Sequence, residues 1–342
     1  MHMNLVKRGA LVLAAAGIAL GTVAYASGAS AATRSTTART GLSPLKVALV
    51  APSATNDLAF TQSMYNALEV LKGTENLTIS VSANEYVVSQ AADIIEEYAH
   101  EGYNLIIAHG SQYGSIIEAL APKFPKVSFA WGTAGSTFGF KNVFAYEANS
   151  NEGGYVQGYM AALLSKSKVL GICGPIATGD AKLYVDGFTA GAKAAAAASK
   201  FKVTAHTAYT GSFSDDSDMA TCAKSFVSDG ADVLTGSSQS VVGAIGVAKS
   251  DNKLWFGTQW VQSSLAPHNV VASQVYNWAP VLTQMFTAIR GGTLGDATYV
   301  IGLGNGGEKI NFNKGYNLAP AVKTEAEKLI AQITAGDITV PQ

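Results

Sequence analysis

Residues 151–175 read NEGGYVQGYMAALLSKSKVLGICGP, and the fold turns on this stretch. Asn151–Ser165 has the small and apolar composition of a buried helix, and Val169–Cys173 (VLGIC) is a short apolar strand stopped by Gly174-Pro175. Upstream, the same kind of strand opens the chain's regular part: Lys46–Ala51 (KVALVA), ended by Pro52. Phe60, Met64, Ala67, Leu68 and Leu71 then recur at helical spacing. Leu77–Val81, a helix around Ala91–Tyr98 that stops at Gly102, Asn104–Ala108, the helix Ser115–Leu120 and Val127–Trp131 follow. Downstream of Pro175 the alternation begins again, with a helix from Leu183 to Ser199, Lys202–Ala208, Met219–Ser228, Ala231–Thr235, Val241–Lys249 and Leu254–Gly257. Apolar strands alternating with helices mean βαβ units and parallel sheets. Two such series, interrupted at mid-chain, predict an α/β chain of two doubly wound lobes joined by a hinge. A continuous eight-fold barrel is the alternative that the same alternation allows. The expected lobes are 45–147 with 276–298, and 148–275 with 299–342.

Composition narrows the function. Only 14% of the 342 residues are charged, against about 25% in average soluble domains. Basic and acidic residues number 23 and 24 with no basic run, so the electrostatic footprint of a nucleic-acid binder is missing. Residues 1–31 read as a signal peptide: Lys7 and Arg8, an apolar Gly9–Val23, and Ala29-Ser30-Ala31 as the cleavage site. No cysteine stands near that site, so no lipid anchor is expected. Residues 32–44 form a polar linker. Cleavage removes two basic and no acidic residues and takes the net charge from −1 to −3. A right-handed crossover would carry the helix holding Cys222 across the strand that ends in Cys173, within reach of a disulfide in an oxidising compartment. Two buried thiols are the alternative.

In open α/β sheets ligands bind beyond the carboxyl ends of the strands. There the chain places Asn56, Asp57 and Phe60 after its first strand, His109-Gly110 and Tyr113 after the third, and Trp131 after the fourth. The second half places Phe213, Gly236, Gln259 and Trp260 in equivalent positions. Amides, hydroxyls and aromatic rings with few charges suit an uncharged ligand with a flat face. No phosphate-binding loop, nucleophile elbow or metal-ligand spacing of histidines is present. Gly302-x-Gly304-x-x-Gly307 matches a dinucleotide fingerprint only as text, because no first βαβ unit surrounds it. His109 reads either as a general base or as a packing histidine at the cleft edge.

Four stretches resemble the basic membrane protein family, the PnrA-like purine nucleoside receptors of ABC importers. These are Asn56–Ser63 (NDLAFTQS), Asn151–Ala162 (NEGGYVQGYMAA), Gly187–Ala192 (GFTAGA) and Gly211-Ser212-Phe213. The resemblance implies a fold like the type I periplasmic binding proteins. It also implies a purine held between Phe60 and Phe213, with Asp57 as a carboxylate of the first lobe. The chain departs from the family's G-V-D-x-D-Q segment, carrying Gly257–Gln262 (GTQWVQ) instead. Gln259 then stands where the ribose-binding carboxylate is usual, and Thr61 where an asparagine is usual, which brings a free base or another flat heterocycle into view.

The resulting expectation is an exported, monomeric solute-binding protein, periplasmic or on the cell surface, that serves ABC permease subunits without a cofactor or a chemical step. A sugar receptor of the same fold and an exported nucleoside-processing enzyme are the alternatives.

Overall fold

The computed structural model describes residues 41–342; the expected signal peptide and residues 32–40 of the linker lie outside the described residues. The first half runs β1 (Leu45–Val50), α1 (Phe60–Leu71), β2 (Leu77–Ser82), α2 (Val88–His100), β3 (Leu105–Ala108), α3 (Gly114–Leu120), β4 (Ser128–Gly132) and β5 (Val143–Ala148). The second half runs α4 (Ser150–Leu164), β6 (Val169–Gly174), α5 (Gly179–Ser199), β7 (Thr204–Tyr209), α6 (Asp216–Ser228), β8 (Val233–Gly236), α7 (Val241–Ser250), β9 (Leu254–Gly257) and β10 (Val270–Tyr276). The chain then passes through α8 (Ala279–Arg290), β11 (Ala297–Ile301), β12 (Glu308–Phe312) and α9 (Pro320–Ala335).

The strands form two separate six-stranded sheets, ordered β11-β5-β4-β3-β1-β2 and β12-β10-β9-β8-β6-β7. This excludes the continuous barrel. Each sheet carries the doubly wound order in which the first strand of the lobe lies between the second and the third. Central strands such as β3 and β8 are buried along their whole length, which is why they read as unbroken apolar runs. β5 and β10 extend the sheets beyond the strands that spacing predicts. β11 and β12 are edge strands contributed after the second sheet is otherwise complete; β11 pairs parallel to β5, and β12 antiparallel to β10. Because β11 pairs with β5 over its full length, the returning segment of the first lobe ends at Ile301, and the expected boundary at 298 falls inside a strand. Three crossings therefore join the lobes: β5 to α4, β10 to α8 and β11 to β12.

The reason for the glycine-rich helices is now visible. Gly154 and Gly158 on α4 face Gly187 and Gly191 on α5, and the two backbones touch along this seam. A Cβ on Gly158 would land on the carbonyl oxygen of Phe188, and one on Gly191 on that of Tyr155. In the same lobe a disulfide joins Cys173 at the end of β6 to Cys222 in α6, with the Cα atoms 6.1 Å apart.

Gly158→Ala should cost about 3 kcal/mol in urea unfolding, since backbone on both sides of the seam must move. Gly246→Ala, on α7 with open space around it, should instead stabilise by about 0.5–1 kcal/mol. Equal midpoints for the two variants would show that the seam does not constrain the lobe.

Candidate functional site

A narrow cleft lies between the carboxyl ends of the two sheets, where ligands of open α/β sheets bind. The first lobe contributes Pro52, Phe60, Gly110, Ser111, Gln112 and Thr133. From the second lobe come Thr178, Asp180, Phe213, Gln239 and Gln259. Every one of these follows a strand, and β1, β3, β6 and β8, which flank the two points where strand order reverses, supply most of them.

Phe60 forms the aromatic wall of the first lobe. Its ring stacks on His109, with centroids 3.7 Å apart and planes 5° from parallel. His109 is fully buried behind it, with Nε2 3.1 Å from the Phe60 carbonyl oxygen and Nδ1 2.8 Å from the Tyr146 hydroxyl. The carbonyl only accepts, so Nε2 carries the proton and Nδ1 accepts from Tyr146. Burial pushes the imidazole pKa down to about 3. His109 is thus a neutral brace and does not line the cleft.

Other expected residues also lie elsewhere. Asn56 is exposed in the loop before α1. The Asp57 carboxylate faces that helix's own amides, Oδ1 accepting from Ala59 and Gln62 at 2.9 and 3.0 Å and Oδ2 from Thr61 at 3.2 Å. It is a helix cap, and stays outside the cleft lining. Tyr113 is buried with its hydroxyl donating to the Glu85 carbonyl at 2.7 Å. Trp131 stacks on Phe138 at 4.8 Å. Gly236 lies behind the surface, where a Cβ would come 2.6 Å from the Cys173 carbonyl oxygen. Trp260 lines a different groove, with Asn66 and Val70 of α1 and Lys309 of β12. Phe60, Gly110, Phe213 and Gln259 are the expected residues that the cleft does bring together.

Sequence reasoning missed Asp180, the one charged residue in the lining among the described residues. It sits in the first turn of α5, which follows β6 as the other site segments follow their strands. Its Oδ2 accepts from the Tyr276 hydroxyl at 2.9 Å and from Gln259 Nε2 at 3.2 Å, and burial raises its pKa. Gln259 adopts φ +69°, and this turn aims its amide at Asp180. Gln259 Oε1 and Gln239 Oε1 are buried acceptors with no partner among the described residues. Across the cleft, Gln262 Nε2 donates to the Leu58 carbonyl of the first lobe at 3.2 Å.

Two lobes, three crossings and a strand-end cleft define a solute-binding protein of the type I periplasmic architecture. Residues 45–342 match the model of the PnrA-like ABC transporter substrate-binding proteins (Bmp), and the chain belongs to that family. It is 28% identical over 254 residues to the purine-binding protein of Brucella abortus, covering 73% of this chain and 70% of that protein. To the ABC transporter nucleoside-binding protein BmpA of Lactococcus lactis it is 26% identical, over 96% of this chain and 98% of that one. An ABC transporter solute-binding protein structure from Conexibacter woesei superposes with a TM-score of 0.70 at 23% identity, covering 87% and 98% of the two chains, a likeness of fold. Among the described residues no helix is long and apolar enough to cross a membrane.

His109 binds a proton more readily unfolded, near pH 6.5, than folded, near 3, so its contribution to stability is lost as pH falls through that interval. Urea unfolding between pH 6.5 and 4 should therefore show a shallower acid loss in His109→Gln than in the parent chain, by up to ~1.4 kcal/mol per pH unit. Parallel acid limbs would mean that the histidine is already protonated in the fold.

Proposed function

We propose that the chain is an extracytoplasmic receptor that captures a purine nucleoside or nucleobase in the interlobe cleft and presents it, as a monomer, to ABC permease subunits in the membrane. The observation that carries this reading is that Phe60 and Phe213, from opposite lobes, face the same cleft. Every purine offers a flat face, and stacking on an aromatic ring contributes about 1–3 kcal/mol per base. Phe60 is stiffened from behind by His109, while the Phe213 carbonyl is tied by the Ser238 and Ser240 hydroxyls at 3.0 and 3.2 Å. The Phe60 ring and the Phe213 backbone are thus held in place by the protein itself, which limits what ordering costs on binding. The free acceptors on Gln239 and Gln259 suit the N–H edge of a base or a sugar hydroxyl. With one acid and no base in the lining, the cleft favours an uncharged ligand and supplies no acid–base pair for a chemical step. The names of the Brucella abortus and Lactococcus lactis relatives point the same way.

Calorimetry against nucleosides, free bases and pentoses tests the assignment. At least one purine compound should bind tighter than about 100 μM, roughly −5.5 kcal/mol, and be recovered intact. If none does, the ligand assignment is wrong. Phe213→Ala should weaken that binding about tenfold or more without moving the unfolding midpoint. Unaltered affinity would remove Phe213 from the site.

A further inference from the structure

The two ends of the Gln259 amide are met differently. Nε2 donates to Asp180 Oδ2 at 3.2 Å, while Oε1 is buried and has no partner among the described residues. Turning the amide over would aim its carbonyl oxygen at an accepting oxygen of the acid and leave the Nε2 hydrogens without that partner. The chemistry of Asp180 therefore decides which end of the glutamine is spare.

The pair is held from several directions. Tyr276, the last residue of β10, donates its hydroxyl to the same Asp180 oxygen at 2.9 Å and its backbone N–H to the Gln259 carbonyl at 3.2 Å. Asp180 is placed in turn by its own carbonyl, which accepts from the Ser150 hydroxyl at 2.5 Å. Tyr276 packs edge-on against Trp278 at 5.5 Å, and Trp278 against Phe60 at 6.3 Å, so this polar triangle shares its support with the aromatic wall of the first lobe. Gln259 stands at φ +69°, a torsion that glycine meets without strain and glutamine does not, so what the glutamine brings to the turn is its side chain. Both bonds to the acid enter Oδ2. That oxygen accepts whether Asp180 is ionised or carries a proton on Oδ1, so the arrangement holds in either state.

On the reading of this cleft as a purine receptor, we infer that Asp180 is a positioning residue. By taking the Nε2 end of Gln259 it turns the carbonyl end to the solute, and the cleft recognises a hydrogen-bond donor, an N–H or an O–H, at this point. A solute that offers a methyl group or an acceptor there leaves a buried carbonyl unpaired. A site built to pair a donor rejects such a solute more strongly than an apolar pocket rejects a missing methylene. Gln239 Oε1, also buried and without a partner among the described residues, gives the same lobe a second acceptor.

The orientation is tested without ligand. In NMR the Gln259 side-chain NH2 group, assigned as the pair of signals missing from Gln259→Met, should exchange with water about tenfold or more slowly in the parent chain than in Asp180→Ala. Asp180→Asn, whose own carbonyl can accept both bonds, should keep the slow exchange. Equal exchange in the parent and Asp180→Ala, or exchange in Asp180→Asn as fast as in Asp180→Ala, overturns the positioning. Calorimetry with adenosine, guanosine and derivatives lacking one N–H or O–H donor at a time tests the consequence. At least one derivative should bind the parent about tenfold or more weakly than its complete nucleoside. That factor should fall below about threefold in Gln259→Met and in Asp180→Ala, and persist in Asp180→Asn. An unchanged factor in the first two variants overturns the donor requirement. If neither nucleoside binds the parent, the purine reading falls, and the amide exchange still decides the positioning.

Discussion

The backbone contact between α4 and α5 is the constraint on which the site depends. Four glycines allow it, and no side chain can replace them without pushing the helices apart. α4 begins directly after the crossing from β5, and α5 begins with the turn that carries Asp180. Holding these two helices together fixes Asp180 relative to the first lobe, where Ser150 reaches its carbonyl and Thr133 abuts Gly179. The motif that most strongly identifies the family is thus a packing device. It locates a carboxyl group at the lobe boundary, while Gly154, Gly158, Gly187 and Gly191 stay outside the cleft lining.

The cleft walls follow a second rule, that buried polar groups are held by specific partners or left to be met by the ligand. His109 has both nitrogens paired, so its burial produces a rigid, uncharged support for Phe60. Gln262 is paired on both sides of its amide, with Trp255 donating to Oε1 at 2.9 Å and Nε2 reaching Leu58, and so ties one lobe to the other. Gln239 and Gln259 each keep an acceptor in reserve. Rigid aromatic faces with a few unspent polar atoms are what a receptor needs in order to be selective without paying for large rearrangements.

The architecture was legible in the sequence because parallel strands buried on both faces appear as apolar runs, and LKVALV, LIIA and VLTG all do so. β11 (ATYVI) and β12 (EKINF) alternate with exposed or half-exposed positions at the sheet edges, and their pairing depends on lobes that must already exist. The site was legible to the level of loops. Which residue of a loop faces the ligand is a matter of backbone torsion, which composition does not report. Gln259 at φ +69° and the Trp260 amide bonded back to the Thr258 carbonyl at 2.8 Å make a tight reversal. That reversal sends the glutamine into the cleft and the indole into the neighbouring groove. Asp57 turns to its own helix for a related reason. A carboxylate just before a helix meets that helix's free amides before it meets any solute.

Low charge links these findings. Closing two lobes on a solute removes every group in the cleft from water, and an uncompensated ion resists that step far more than an amide or a phenyl ring does. The lining answers this with neutral side chains and a single acid, which burial already disfavours as an anion. A cationic solute would supply the counter-charge that this acid lacks in the cleft lining. A neutral heterocycle presents the acid with hydrogen-bonding edges only. Tyr276 and Gln259 both donate to the same Asp180 oxygen, so part of the stabilisation of its anion is already in place within the protein.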